Sequence, residues 1–156
     1  ERMRSFGASP ALLASVLSGV VAVNTLGKIC TNDKDSYRLS RAEGAPLEDF
    51  ADFGRVLADL KAEGVVEDST AWKEVLFSRA VPCSKCDGGY QGATGIQEVL
   101  INTLPIKEML QNSAPPEDIE GEARREGMAT LAEDALFKAA EGRTSMEEVF
   151  RLVGRG

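Results

Sequence analysis

Cys83-Ser-Lys-Cys86 runs directly into Asp87-Gly88-Gly89. Two thiols at this spacing can reach one metal ion from a tight turn, and the glycines tolerate the bend. A closed zinc site takes four ligands, so the turn supplies only half of one. The remaining thiol of the chain, Cys30, lies 53 residues upstream. There is no histidine in the sequence, so a fourth ligand has to be a carboxylate or water. Asp33 stands at the C-x-x-C position relative to Cys30, and zinc accepts a carboxylate oxygen. Both halves follow strand-like runs, and a metal joining them would close a loop of roughly fifty residues. Two other readings stay open. The three cysteines can be unrelated, with Cys30 buried as a small hydrophobe. The pair can also be a redox C-x-x-C, which the lack of a strand-to-helix context disfavours.

Composition narrows the function classes. At 156 residues and 43% hydrophobic, the chain is one domain, or a domain plus a small subdomain, with a real core. Its net charge of −7 argues against a nucleic-acid partner. Arg2, Arg4, Arg151 and Arg155 are too sparse to form a basic stripe. The absence of histidine removes imidazole catalysis and the serine–histidine triad. An odd cysteine count argues against a disulfide framework and for a reducing, cytosolic compartment. "ALLASVLSGVVAV" (Ala11 to Val23) faintly resembles a signal peptide behind Arg2 and Arg4. Pro10, Ser15, Ser18 and Gly19 and the lack of an A-x-A site count against that, and the run is too short to span a bilayer. The first residue is Glu1, which is compatible with the later part of a longer protein.

Periodicity predicts an α+β chain, mostly helical. Ser9 and Pro10 read as N-cap and first helical residue, with Leu12, Leu13, Val16, Leu17 and Val20 as a buried face. Val20 to Cys30 reads as a strand, and Thr31 to Ala45 as a loop. Leu47, Phe50, Phe53, Leu57 and Leu60 predict an amphipathic helix from Pro46 to Glu63, stopped by Gly64. Glu74 to Val81 and Thr94 to Ile101 read as strands flanking the cysteine turn. Helices follow from Leu104 to Gln111, from Pro115-Pro116 to about Glu126, and from Met128 to Ala140. Thr144 with Glu147, or Ser145 with Glu148, forms a capping box for a last helix. Its apolar face is Met146, Val149, Phe150 and Val153. Glu117, Asp118 and Glu133 read as solvated helix faces.

Four stretches together resemble one family. They are "FGASPALLASVLSGVVA" (Phe6 to Ala22), "KICTNDKDSY" (Lys28 to Tyr37), "LFSRAVPCSKCDGGYQGATGIQEVL" (Leu76 to Leu100) and "REGMATLAEDALFKAAEGRTSMEEVFRLV" (Arg125 to Val153). In this order they are similar to the C-terminal portion of the type II secretion and type IV pilus assembly ATPases, hexameric motors of the secretion-ATPase superfamily. The region from about Arg38 to Trp72 is insert-like. The second and third stretches resemble the two halves of the family's tetracysteine zinc motif, with a hairpin behind the second half. The resemblance implies structural zinc held by Cys30, Asp33, Cys83 and Cys86, with Asp33 where the family has its second cysteine. Val23-Asn24-Thr25 replaces a usual Gln-Arg-Leu run, and Ala93 replaces an arginine. These losses of basic residues point to a diverged member.

The resemblance further implies three segments. Residues 1–29 would end a RecA-like ATPase core, 30–101 a zinc-knuckle β-hairpin subdomain with a helical insert, and 102–156 a C-terminal helical bundle. No G-x-x-x-x-G-K-[ST] occurs in the chain, and Gly88, Gly89, Gly92 and Gly95 are spaced for turns with no lysine after them. ATP and Mg²⁺ would therefore belong to the parent protein alone, and these residues would hold neither a catalytic nor a nucleotide-binding group. The implied partners are the other subunits of a homo-oligomeric ring and an inner-membrane platform protein. The implied location is the cytoplasm, peripheral to the inner membrane. A stand-alone zinc-knuckle adaptor and a small secreted helical protein are the competing readings. A phosphate loop and an acidic Walker B strand encoded upstream of Glu1 would distinguish the motor from both.

Overall fold

A computed structural model describes residues 2–31 and 34–154. Helices α1 (Arg2–Ser5) and α2 (Pro10–Val16) lead into strands β1 (Gly19–Ile29) and β2 (Lys34–Arg38). Helices α3 (Arg41–Gly44) and α4 (Phe53–Ala62) precede strands β3 (Leu76–Ala80) and β4 (Tyr90–Ile101). Four helices close the chain: α5 (Leu104–Gln111), α6 (Pro116–Arg125), α7 (Leu131–Ala140) and α8 (Met146–Val153). The class is α+β with more helix than strand, as the periodicity predicts. Among the described residues no helix is long and apolar enough to cross a membrane.

The strands form two two-stranded sheets, β1 with β4 and β2 with β3. In β1–β4, Cys30 N–H donates to Gly89 O (2.9 Å) and Asn102 N–H donates to Ser18 O (3.0 Å), so the strands run antiparallel. In β2–β3, also antiparallel, Lys34 stands opposite Ala80 and Tyr37 opposite Phe77. This corrects the expected hairpin: the strands on either side of the cysteine turn belong to different sheets. The reason is β2, which lies inside the stretch read as loop. Lys34–Arg38 has little strand propensity of its own. Cross-strand packing supplies what propensity does not, because Tyr37 meets Phe77 (ring centroids 6.5 Å apart) and Arg79 lies 4.2 Å over the Tyr37 ring. The same stretch also hides a capping box, Ser40 with Glu43, that starts α3.

The chain divides into two compact units. One comprises Glu1–Ala22 and Glu98–Thr130, the other Val23–Gln97 and Leu131–Gly156. In the first, Ile106, Ala123 and Met128 form a small core with Leu100, Leu110 and Ile119 against it. Ser9 Oγ accepts from Leu12 N–H (3.2 Å) and Pro10 opens α2, as predicted. The predicted buried face is not the one observed. Leu12 and Val16 are 51% and 63% exposed, and Val20 lies exposed in β1, whereas Ala14 is fully buried. A small residue lets α2 approach α5 closely, and Asn102 Nδ2 then takes the carbonyls of Ala14 (3.1 Å) and Leu17 (2.7 Å). The helix stops there, before Gly19.

The second unit has the larger core. Leu47, Leu60, Phe77, Ile96, Leu136 and Val149 are essentially inaccessible, and Phe53 stacks on Trp72 at 4.8 Å. Helix α4 starts at Phe53, not Pro46. Asp52 is its N-cap and accepts from Arg55 N–H (3.1 Å), while Pro46 sits in a 3-10 turn and Phe50 is exposed. Glu133 is a further correction, since it is only 2% exposed and its carboxylate accepts from Asp52 N–H (3.1 Å). Packing of α7 against α4 converts that face from a solvated one to a buried one. Helix α7 begins at Leu131, and Met128 belongs to the other core. Strand β4 starts at Tyr90, not Thr94, so Gly92, expected in a turn, lies inside it.

The start of α8 ties this unit together. Ser145 is the N-cap, accepting from Glu148 N–H (3.4 Å), so the Ser145–Glu148 pairing is the one adopted. The Glu148 carboxylate does not return to the cap, as a full box would require. It accepts instead from Gly27 N–H (2.6 Å) and pairs with Arg151. Thr144 Oγ1 donates to Gly27 O (2.8 Å), and Ile29 N–H donates to Arg143 O (2.9 Å). Tyr90 Oη and Ser145 Oγ share a hydrogen bond of 2.6 Å. A Cβ at Gly27 would come within 2.9 Å of the Tyr90 ring, so a larger residue there would push the ring aside.

Ser145→Ala removes an N-cap and the Tyr90 partner together. It should cost about 1–2 kcal/mol in urea denaturation, the usual range for a lost cap. A cycle with Tyr90→Phe should show coupling between the two residues, and additive losses would mean that the hydroxyls act independently. Burial holds the phenols of Tyr37 and Tyr90 above their ordinary range, with nearby glutamates adding to it. A raised acid pKa stabilises the fold fully below the unfolded value of about 10, and that contribution fades as pH climbs through the folded values. Ultraviolet titration should therefore show both tyrosines ionising above about pH 10, with stability falling in that same window. Phenolate formation at the free-tyrosine pH with the fold intact would contradict it.

Candidate metal centre

Cys30 directly follows β1 and is 1% exposed. Its N–H···O bond to Gly89 pins it beside the entrance to β4. On the other side, β3 ends at Ala80, and Val81-Pro82 carry the chain to Cys83–Cys86. Asp87 and Tyr90 then exchange backbone hydrogen bonds (3.1 and 2.8 Å) around Gly88 and Gly89. Both glycines have positive φ, 56° and 92°. At Gly89 a Cβ would lie 2.7 Å from the backbone of Ala80 and Val81. The glycine thus lets the end of β3 and the start of β4 close on each other.

That closure brings the three sulfurs together, all within 4.8 Å of one another. Cys30 Sγ lies 3.7 Å from Cys83 Sγ, and Cys83 Sγ lies 2.6 Å from Cys86 Sγ. Cys83 N–H donates to Cys86 Sγ (3.1 Å), a backbone donor suited to a sulfur that carries negative charge. None of the three is in a disulfide. Two sulfurs bound tetrahedrally at about 2.3 Å from one zinc stand about 3.75 Å apart. The Cys30–Cys83 separation meets that value. Cys83 and Cys86 reach it by opening about 1 Å, a small rotation for two half-exposed side chains. The donor set fits a soft divalent cation.

The metal-free thiols crowd one another. The hydrogen bond that the Cys83 thiol gives to Cys86, with smaller contributions from burial and from Cys30 and against a backbone bond at Lys85, pushes Cys83 up to about 11. A cation among the sulfurs reverses this balance, since coordinated thiols lose their protons. Asp33, the expected fourth ligand, lies outside the described residues. Sequence reasoning missed Gln91, whose Oε1 accepts from Cys30 Sγ at 3.9 Å. Its only signal is position: it follows Tyr90 in β4, and alternation turns it away from the Ser145 side.

Comparison with known proteins bears on the family. Residues 1–151 match the family described as "Type II/IV secretion system protein". The chain is 29% identical over 152 residues to the Type II secretion system ATPase E of Vibrio cholerae, covering 97% of this chain and 26% of that protein. It is 29% identical over 151 residues to the Type IV pilus assembly ATPase PilB of Pseudomonas aeruginosa, covering 97% and 24%. To the Type II secretion system protein E of the same organism it is 30% identical over 152 residues, covering 97% and 26%. The chain spans about a quarter of the length of the curated relatives it matches. With nearly its whole length matched and its thiols gathered where the resemblance expects them, the chain belongs to the type II/IV secretion system protein family.

Proposed function

We propose that this chain is the C-terminal part of a hexameric secretion or pilus assembly motor, carrying a structural zinc knuckle and helping subunits pack in the ring. The observation that carries this reading is the convergence of Cys30, Cys83 and Cys86 in a chain matched to the family over residues 1–151. Residues 1–29 would complete the edge of a RecA-like core, 30–101 would hold the knuckle and its insert, and 102–156 would form the C-terminal helical bundle. ATP and Mg²⁺ would be bound by the parent protein, since these residues contain no phosphate loop. The ring would work in the cytoplasm against an inner-membrane platform protein, without nucleic acid. The exposed Val23-Asn24-Thr25 and Ala93, where the family carries basic residues, fit a diverged member.

Zinc would sit among Cys30, Asp33, Cys83 and Cys86. Four protein ligands leave no open position for a catalytic water, so its role is to clamp the β1–β2 connection to the β3–β4 connection. Elemental analysis of protein purified without added metal should find one zinc per chain. Asp33→Cys should tighten binding and Asp33→Ala weaken it, because a thiolate suits a soft site better than an oxygen does. Zinc-free protein that is folded, with Cys83 and Cys86 reacting freely with a thiol reagent, would overturn the metal assignment. Separately, calorimetry should detect no ATP binding by this chain. Saturable binding would place a nucleotide site within these residues and overturn the division of labour between chain and parent.

A further inference from the structure

We propose that Gln91 is a positioning residue of the metal centre, turning its side-chain amide to donate an N–H to the Cys30 sulfur when that sulfur is a thiolate. The inference rests on the metal reading above. With the proton on sulfur, Cys30 donates to Gln91 Oε1 across 3.9 Å. A thiolate has no proton to give, and a carbonyl oxygen facing it would repel it. The amide carries both an acceptor and a donor on one planar group. Turning that group end for end replaces the repulsive contact with an N–H···S hydrogen bond. Gln91 is exposed rather than locked in the core.

Burial makes the donor matter. Cys30 is 1% exposed, and a charged sulfur taken out of water is costly unless it is paired and hydrogen-bonded. Two backbone constraints hold Gln91 in place. The Cys30 N–H···O=C Gly89 bond sets the register of β1 against the start of β4, and the Tyr90–Ser145 hydrogen bond fixes the neighbouring side chain on the opposite side. Gln91 lies on the side of β4 opposite Tyr90, with its amide 3.9 Å from the Cys30 sulfur. Groups that orient a metal ligand in this way typically change metal affinity 10- to 100-fold when removed.

The test uses the whole chain with Co²⁺ as a spectroscopic probe and Zn²⁺ in competition with a chelator. Wild-type protein should bind one Co²⁺ and show a thiolate-to-cobalt charge-transfer band. Gln91→Leu should weaken both metals about tenfold and move that band to lower energy, because the sulfur loses its hydrogen bond. Gln91→Glu, which cannot donate, should weaken them further. Fluorescence of Trp72, packed on Phe53 and Phe77, checks that the core is unchanged in each variant. Unaltered affinity and band position in both variants would overturn the role of Gln91 while leaving the metal reading standing. Tighter binding by Gln91→Glu would make the residue an oxygen ligand and overturn the donor role. Failure of wild-type protein to bind Co²⁺ or Zn²⁺ would overturn the metal reading and this one with it.

Discussion

Gly27 gives both of its backbone groups to the start of α8. Its N–H goes to the Glu148 carboxylate at 2.6 Å, and its carbonyl accepts from the Thr144 hydroxyl at 2.8 Å. Two residues on, Ile29 N–H reaches Arg143 O. These bonds occupy polar groups on the edge of β1 that would otherwise be open to another strand. They are also the means by which the last helix reaches the thiol cluster. Cys30 is the next residue after Ile29, and Tyr90, which opens β4, is held by Ser145. Both walls of the thiol cluster thus lean on one helix N-terminus. A charge-assisted bond from a buried carboxylate to a backbone N–H is among the stronger polar interactions available to a fold of this size.

The cluster itself follows from splitting four strands between two sheets. Pairing β1 with β4 and β2 with β3 places the β1–β2 and β3–β4 connections side by side, and each connection carries part of the site. A simple hairpin around Cys83–Cys86 would have left Cys30 to find the turn by chance. Gly89 completes the arrangement, since any side chain there would strike the backbone at Ala80 and Val81. The thiols therefore converge because of backbone pairing, before any metal is considered. A metal would lock that arrangement, since coordinated thiols lose their protons. In a motor subunit, such a clamp would keep the insert-bearing segment attached to the strands that carry it.

Much of this was legible in the chain. Ser9-Pro10 and Ser145 announce their helices because a capping side chain acts within three residues of itself. The β-branched run after Gly19 announces β1, and the thiol spacing with no histidine narrows the candidate ligands to Cys30, Cys83, Cys86 and an oxygen donor. The family relationship was legible as well, above all from Arg125 to Val153. The same stretch contains Arg143, Thr144, Ser145 and Glu148, the residues that hold β1 and β4. Strand β2 was not legible: Lys34–Arg38 has little strand propensity and gains its partners across the sheet, where Phe77 stands opposite Tyr37 and Arg79, opposite Asp35, reaches diagonally over the Tyr37 ring.

The remaining decisions needed contacts between residues far apart in sequence. Spacing identified an apolar stripe on α2 but not which side would be covered, and Ala14 was buried while Leu12 and Val16 stayed exposed. Glu133 has the composition of a solvated face and is buried because α4 packs over it and Asp52 supplies a donor. Gln91 carries no ligand signature at all, and only strand register brings it to Cys30. The sequence by itself determined the local elements, their caps, and the thiols available to a metal, because each depends on neighbours within about one helical turn or one tight turn. The tertiary structure alone decided which strands pair, which faces are buried and which polar group meets the Cys30 sulfur, because those outcomes depend on surfaces that become neighbours only after the chain has folded.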